Sequence, residues 1–314
     1  MARHRGVDAG SGVLMVSVIV CTYNPRPDYL ERCVEAILPQ VREHVDREFF
    51  IVDNASQTPV ADLPIVRRHG IRLVSEPRSG LTAARECAAR TAAYDLLVFV
   101  DDDNVLAPGY LDVALQLFQN DRIGALSGAV EPEYEVIPPA WFGRFEESIA
   151  VRRLPTDRLY VTSIPEYSRY FPIGAGCCVR RDLLRLYFAR LQEADRIEGR
   201  RGEMLSAGED NDIALFAIAE GYLVGCCGRL RVTHLISRRR TRPEYLIALN
   251  RGALESAFRV NAKWQPKFGS NVFSFCGGSR LSILLRTVVY GLLSVVASYR
   301  VRFRGQLDLL RLRR

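Results

Sequence analysis

The chain has 314 residues, 48% of them hydrophobic, enough for one large α/β domain or two modest ones with a full-sized core. Its net charge of +7 does not point to nucleic acid. From residue 280 onward eight arginines (Arg280, Arg286, Arg300, Arg302, Arg304, Arg311, Arg313 and Arg314) stand against Asp308 alone, so residues 1–279 are formally neutral. Eight cysteines, with the doublets Cys177–Cys178 and Cys226–Cys227 but no CxxC spacing, indicate neither a zinc site nor a disulfide framework; they read as small buried thiols in a reducing compartment.

Residues 1–14 read as a flexible N-terminus, and the polar stretch Met1–Gly12 has no apolar signal core, so secretion is not expected. Val16 to Cys21 is a nearly continuous apolar strand that runs into Thr22, Tyr23 and Asn24. Pro27 and Asp28 then open a helix whose Leu30, Cys33, Val34, Ile37 and Leu38 fall on one face. Phe49 to Val52 makes a second strand ending in Asp53, and Ile71 to Val74 a third. Gly80 precedes a helix over 81–93 that carries Arg85.

Leu96 to Val100 follows, five apolar residues that end abruptly in Asp101, Asp102 and Asp103, as in a strand buried on both faces of a parallel sheet. Three adjacent carboxylates repel one another unless a cation, ligand donors or water separates them. A solvated turn that caps the next helix is the alternative reading. Pro108 starts another helix, and Ile123 to Val130 is the next strand. Strands alternating with helices call for a parallel sheet with right-handed crossovers, which would bring Thr22–Asn24, Asp53 and Asp101–Asp103 to one edge and a nucleotide-sized crevice. Neither a G-x-G-x-x-G after the first strand nor a Walker lysine is present, so a metal held by carboxylates suits the phosphates better.

From Glu131 to about Ile173 the chain is turn-rich and aromatic, with no regular element obvious. Trp141 there could stack on a sugar ring or simply plug the sheet. Gly174 and Gly176 lie close together, as where backbone must approach another surface, and a helix follows from Asp182. Gly208-Glu209-Asp210-Asn211-Asp212 opens a helix that stops at Gly221. The helix dipole accounts for one or two of these acids, and a carboxylate here also suits general-base work. His234 ends a further strand, as a structural histidine or a ligand. Residues 243–262 form an amphipathic helix. The longest uncharged run of the tail, Thr287 to Tyr299, has 13 residues between Arg286 and Arg300, short of the roughly 20 needed to span a bilayer. An interfacial helix with arginines on headgroups is expected, with docking onto a homodimer partner as the rival.

Taken in order, these segments resemble family 2 glycosyltransferases over roughly Val16 to Tyr245: Val18-Ile19-Val20-Cys21-Thr22-Tyr23-Asn24, Ile51-Val52-Asp53-Asn54-Ala55-Ser56, Ser79-Gly80-Leu81-Thr82-Ala83-Ala84-Arg85, Val100-Asp101-Asp102-Asp103, Gly174-Ala175-Gly176 with Arg180-Arg181, and Gly208-Glu209-Asp210. The resemblance implies an α/β fold of the GT-A type: a single domain over 15–262, with a Rossmann-like, mainly parallel sheet flanked by helices. Its nucleotide-binding half would be 15–130 and its acceptor half 131–262, followed by a basic, amphipathic helical extension over 263–314.

The same resemblance implies an inverting transfer of a sugar from a nucleoside-diphosphate sugar, with UDP-sugars favoured, to a hydroxyl of a glycan or lipid-linked acceptor. Asp53 would bond the nucleobase, with Thr22, Tyr23 and Asn24 around base and ribose, Arg85 supporting the nucleotide, and Asp101 or Asp102 on ribose. Asp103, with Asp101 and His234, would hold Mg²⁺ or Mn²⁺. Asp210 would be the base and Glu209 would orient the acceptor, with Trp141, Gly174 and Gly176 on the acceptor side. Glu86 and Cys87 depart from the asparagine many members carry after the arginine. The multiple membrane spans of processive synthases are lacking, which favours single-sugar transfer at the cytoplasmic face of the membrane. Transfer to a polyprenyl phosphate and a non-catalytic nucleotide-sugar-binding module are the alternatives.

Overall fold

The computed structural model describes residues 13–192, 196–197, 199–200, 205–206, 208–277 and 297–312. Their core is one mixed sheet in the order β3-β2-β1-β4-β8-β6-β9-β5, with β7 paired to β9. The N-terminal half behaves as its apolar runs dictate. β1 (Val16–Thr22), β2 (Arg47–Asp53), β3 (Arg72–Ser75) and β4 (Leu96–Asp101) are mutually parallel. The register pairs Thr22 with Asp53 and Cys21 with Asp101, which aligns the polar tips of three strands along one edge.

Helix α1 (Pro27–Val41) starts at the proline and buries the predicted face: Leu30, Cys33, Val34 and Ile37 are fully covered. Complete burial of each larger aliphatic side chain is worth about 1.5–3 kcal/mol. A short α2 (Pro64–His69) precedes β3, and α3 (Leu81–Thr91) covers the opposite face with Ala84, Ala88 and Ala89. Small side chains here let α3 sit close to the sheet.

Besides β7, which runs antiparallel to β9, two strands depart from a purely parallel order. β8 (Cys177–Arg180) lies antiparallel between β4 and β6 (Ile123–Tyr134), and β5 (Asn104–Leu106) is antiparallel to β9 (Leu223–Ile236). The second pairing positions the site, because it sets Asn104 opposite His234 while the Leu235 N–H bonds the Asp103 carbonyl. The stretch expected to lack regular elements contains a 3₁₀ segment, Ala140–Ile149, and β7 (Leu159–Thr162). α4 (Tyr110–Leu117), α5 (Arg181–Arg190) and α6 (Glu209–Ala219) stand close to their predicted starts.

Helix α7 (Pro243–Phe268) continues past the expected boundary at 262, and α8 (Ala297–Leu312) packs on it, with Val301 among Phe142, Phe145, Leu246 and Leu249. Residues 1–12 and most of the uncharged run 287–299, which carry the flexible-terminus and interfacial-helix expectations, lie outside the described residues. No helix among the described residues is long and apolar enough to cross a membrane.

Candidate active site

Two cavities of about 220 Å³ each open at the C-terminal edge of the parallel strands. The first is lined by Thr22, Tyr23, Asn54, Gly80, the three aspartates and Arg240. The second contains Arg85, Gly174, Glu209 and Asp210. Leu81, Asp101 and Arg200 belong to both walls, so the cavity of the aspartate cluster adjoins the cavity of Asp210.

The first cavity takes its shape from hydrogen bonds inside its loops. Asn54, buried after β2, donates through Nδ2 to the carbonyls of Glu76 and Arg78 at 3.1 and 2.7 Å and accepts the Gly80 N–H at 2.8 Å. Asn24 takes positive φ and accepts the Gln57 N–H at 2.8 Å. Asp53, expected on the nucleobase, uses its two oxygens on the loop, from the Ser56 and Val60 N–H groups at 3.1 and 3.3 Å, and is not in the wall of the cavity.

The three aspartates differ in electrostatics. Burial and the neighbouring Asp103 charge push Asp102 up to about 7, even though Thr22 Oγ1 donates to it, and the same two causes raise Asp101. Burial opposes the Asp103 charge too, but the groups around it, Arg240 foremost, more than offset it and hold that carboxyl well below the usual range. Asp103 Oδ2 is 3.6 Å from His234 Nε2 and 2.7 Å from Arg240 Nη2, and Asn104 Nδ2 donates to Oδ1 at 2.6 Å.

Among the described residues no three His, Cys, Asp or Glu side chains converge as a ready-made metal site. The donor chemistry nonetheless fits a hard divalent cation. Carboxylate oxygens and one imidazole nitrogen are the ligands such an ion takes, and the mutual repulsion that raises Asp101 and Asp102 is what a cation would relieve.

In the second cavity the acids at the start of α6 meet Arg85 of α3. Its Nη1 is 2.5 Å from Asp210 and 3.6 Å from Glu209, and the guanidinium lies over the Phe99 ring at 5.6 Å. Arg85 therefore sits under the acids of α6 and not in the wall of the first cavity, where support of a nucleotide would put it. Asp210 also accepts the Gly174 N–H at 2.8 Å. A Cβ at Gly174 would come within 2.7 Å of Arg85 Nη2 and 3.2 Å of Asp210 Oδ2, so a larger residue there would have to displace the Arg85–Asp210 pair. Gly176, at positive φ, faces the core instead: its carbonyl accepts the Tyr110 hydroxyl. Trp141, half-buried, packs edge-on against Phe142 and Phe145 and lines neither cavity.

Glu209 is only 2% exposed, accepts the Thr82 hydroxyl at 3.2 Å, and is raised to about 7 by burial, against the pull of Arg85. A carboxyl raised in the folded state keeps its full contribution below its unfolded value and loses stability as pH climbs through about 7. The loss is on the order of 3 kcal/mol at 1.4 kcal/mol per unit. Glu209→Gln should flatten the fall in melting temperature between about pH 5 and pH 8, leaving the part due to Asp101 and Asp102. An unchanged slope in thermal melts would rule Glu209 out as its source.

Several site residues escape sequence reasoning. Arg240 lies in a run of arginines that looks like a solvated face, and Arg200 carries no motif. Asp212 adjoins the recognised pair, yet its three donors, Tyr187 Oη, Trp264 Nε1 and Lys263 Nζ at 2.6, 2.6 and 2.8 Å, come from distant elements.

The sequence profile described as glycosyl transferase family 2 matches residues 17–188. The succinoglycan biosynthesis protein ExoM of Rhizobium meliloti (strain 1021) is 26% identical over 144 residues, 44% of this chain and 46% of that protein. Polypeptide N-acetylgalactosaminyltransferase 15 of Mus musculus is 31% identical over 132 residues, 40% of this chain and 20% of the relative. The chain thus spans less than half the length of these two relatives. Among solved structures, GalNAc-T7 with UDP, GalNAc and Mn²⁺ superposes with a TM-score of 0.53 at 14% identity, covering 82% of this chain and 51% of that one, which shows the shared fold. With the profile extending over more than half its length, from β1 into α5, the chain belongs to glycosyl transferase family 2.

Proposed function

We propose that this chain is an inverting, metal-dependent glycosyltransferase, moving a sugar from a nucleoside-diphosphate sugar to a hydroxyl of a glycan or lipid-linked acceptor in cell-surface polysaccharide or glycolipid synthesis. The observation that carries the proposal is the pair of adjoining cavities, with Asp103 in the wall of one, His234 buried 3.6 Å behind it, and Asp210 in the wall of the other. Asp103, His234 and Asp101 would hold Mg²⁺ or Mn²⁺, which when bound neutralises charge developing on the departing diphosphate. Thr22, Tyr23 and Asn54 shape the cavity for the nucleotide, and UDP is favoured because the GalNAc-T7 structure contains it.

Asp210, half-buried and fixed by Arg85 and the Gly174 N–H, takes the proton of the acceptor hydroxyl as its oxygen attacks the anomeric carbon from the face opposite the leaving group. The bond from that carbon to the diphosphate breaks as the new glycosidic bond forms. Glu209 supports Arg85 from below, through the 3.6 Å ion pair. The arginine-rich tail suits an anionic membrane surface at the cytoplasmic face.

The test is a screen of UDP-, GDP- and dTDP-sugars with Mn²⁺ against the purified chain. One donor class should raise the melting temperature and, with acceptor, release its nucleoside diphosphate. No shift and no release with any donor would reject the proposal.

A second reading, transfer to a polyprenyl phosphate, is favoured by one observation. An apolar recess of about 410 Å³ between α7 and α8 shares Tyr167, Asn211 and Ala253 with the cavity holding Asp210. An anionic acceptor needs no base, so that reading predicts activity without the Asp210 carboxylate.

A further inference from the structure

A single guanidinium occupies both side chains assigned above to the metal. Arg240 Nη2 lies 2.7 Å from Asp103 Oδ2 and its Nη1 lies 2.6 Å from His234 Nε2. Guanidinium N–H groups only donate, so the Nε2 they meet presents its lone pair and the ring proton falls on Nδ1, which is buried without a partner. The lone pairs a cation would use are therefore already aimed at one spot, and Arg240 fills it. The arginine is delivered by the 3₁₀ turn Arg238–Thr241, which follows β9 directly. Glu135 accepts the Arg238 N–H at 2.8 Å, and the Thr241 hydroxyl donates to the Arg238 carbonyl at 3.0 Å. The side chain is 19% exposed and forms part of the wall of the nucleotide-side cavity.

We propose that Arg240 is a resident counter-ion that a divalent cation displaces from Asp103 and His234, and that the displaced guanidinium then pairs with the diphosphate of the donor. The inference rests on the metal-dependent reading above and adds the order of events to it. A dication and a guanidinium cannot share the same lone pairs, and their like charges repel at contact distance. Metal entering alone leaves the expelled Arg240 only Asp101 and Asp102 of the same cavity, whose charges the cation also draws on. Metal entering with a nucleoside diphosphate gives the guanidinium two new acceptor groups, and Arg is the side chain suited to them. Metal and nucleotide therefore bind with positive coupling, and by linkage each strengthens the other by the same factor. Without a donor, Asp103 stays paired and the site stays closed to stray cations.

The experiment follows the loss of the free Mn²⁺ electron paramagnetic resonance signal on titration with the full chain, alone and with UDP, GDP or dTDP in turn. The wild type should bind Mn²⁺ weakly alone and at least about tenfold more tightly with the matching nucleotide. Arg240→Gln should bind Mn²⁺ alone about tenfold more tightly than the wild type, with the effect of nucleotide reduced to a few-fold. Equal Mn²⁺ affinity of the two proteins without nucleotide would overturn the exchange. If Arg240→Gln does not fold, as judged by circular dichroism, Arg240→Lys carries the test. One ammonium cannot hold both partners, so Mn²⁺ alone should bind at least about threefold more tightly, and no gain would overturn the proposal. Asp103→Ala separates the two levels: Mn²⁺ binding unaffected by it would reject the metal site itself, whereas its loss alongside equal wild-type and Arg240→Gln affinities rejects only the exchange.

Discussion

Replacing Asp210 with asparagine should lower turnover about a thousandfold, the middle of the range for a positioned general base. The substitution preserves size and leaves an oxygen able to accept the Gly174 N–H, which now bonds Oδ2 at 2.8 Å. What it removes is the charge that receives the proton and pairs with Arg85 at 2.5 Å. Asp210 lies outside the wall of the nucleotide-side cavity, so donor affinity should stay within about threefold of wild type, and the loss should appear in kcat. Steady-state kinetics on both proteins, with thermal melts to confirm equal folding, measure this. Turnover within about threefold of wild type would remove the base from the mechanism and favour a phosphate acceptor.

The parts of this site that could be read from sequence are those encoded locally. Five apolar residues ending in three acids read as a buried strand with the acids at its tip, and β4 has that form. The same holds for β1 with Thr22 and for α6, whose acids and terminal Gly221 mark both ends. The strands that complete the sheet were less legible. β8 is four residues long, and its antiparallel place between β4 and β6 depends on partners about fifty and eighty positions away.

Long-range pairing also explains the misplaced side chains. Arg85 is buried because residues 209 and 210, brought by another helix, neutralise it, and nothing in the alanine-rich stretch around it signals that. The meeting of Asp103 with Arg240 arises from the β5–β9 register, which no local period encodes. Asp53 illustrates the converse: its place after the strand was clear, while the use of both its oxygens on its own loop was not.

Arg85→Met should destabilise the protein by about 3–5 kcal/mol, the usual consequence of removing one partner from a buried ionic cluster. The guanidinium is the cation that faces both Glu209 and Asp210, and methionine fills much of its volume over Phe99 without replacing the charge. For a domain of this size the melting temperature should fall by roughly 10 °C near neutral pH. The pH dependence distinguishes lost charge from lost packing. Glu209 already sits at about 7 through burial, and without Arg85 its carboxyl is pushed higher still. A raised carboxyl destabilises only as pH climbs through its folded value, so the variant's deficit should be smaller near pH 5.5 and larger near pH 8. A deficit of the same size at both would assign Arg85 a packing role alone. Arg85→Lys should recover part of the stability, because it restores the charge on a shorter side chain that lacks the planar group packed over Phe99. Its turnover should remain low, since the contact of the Arg85 Nη1 with Asp210 Oδ1 is what aims the base at the acceptor.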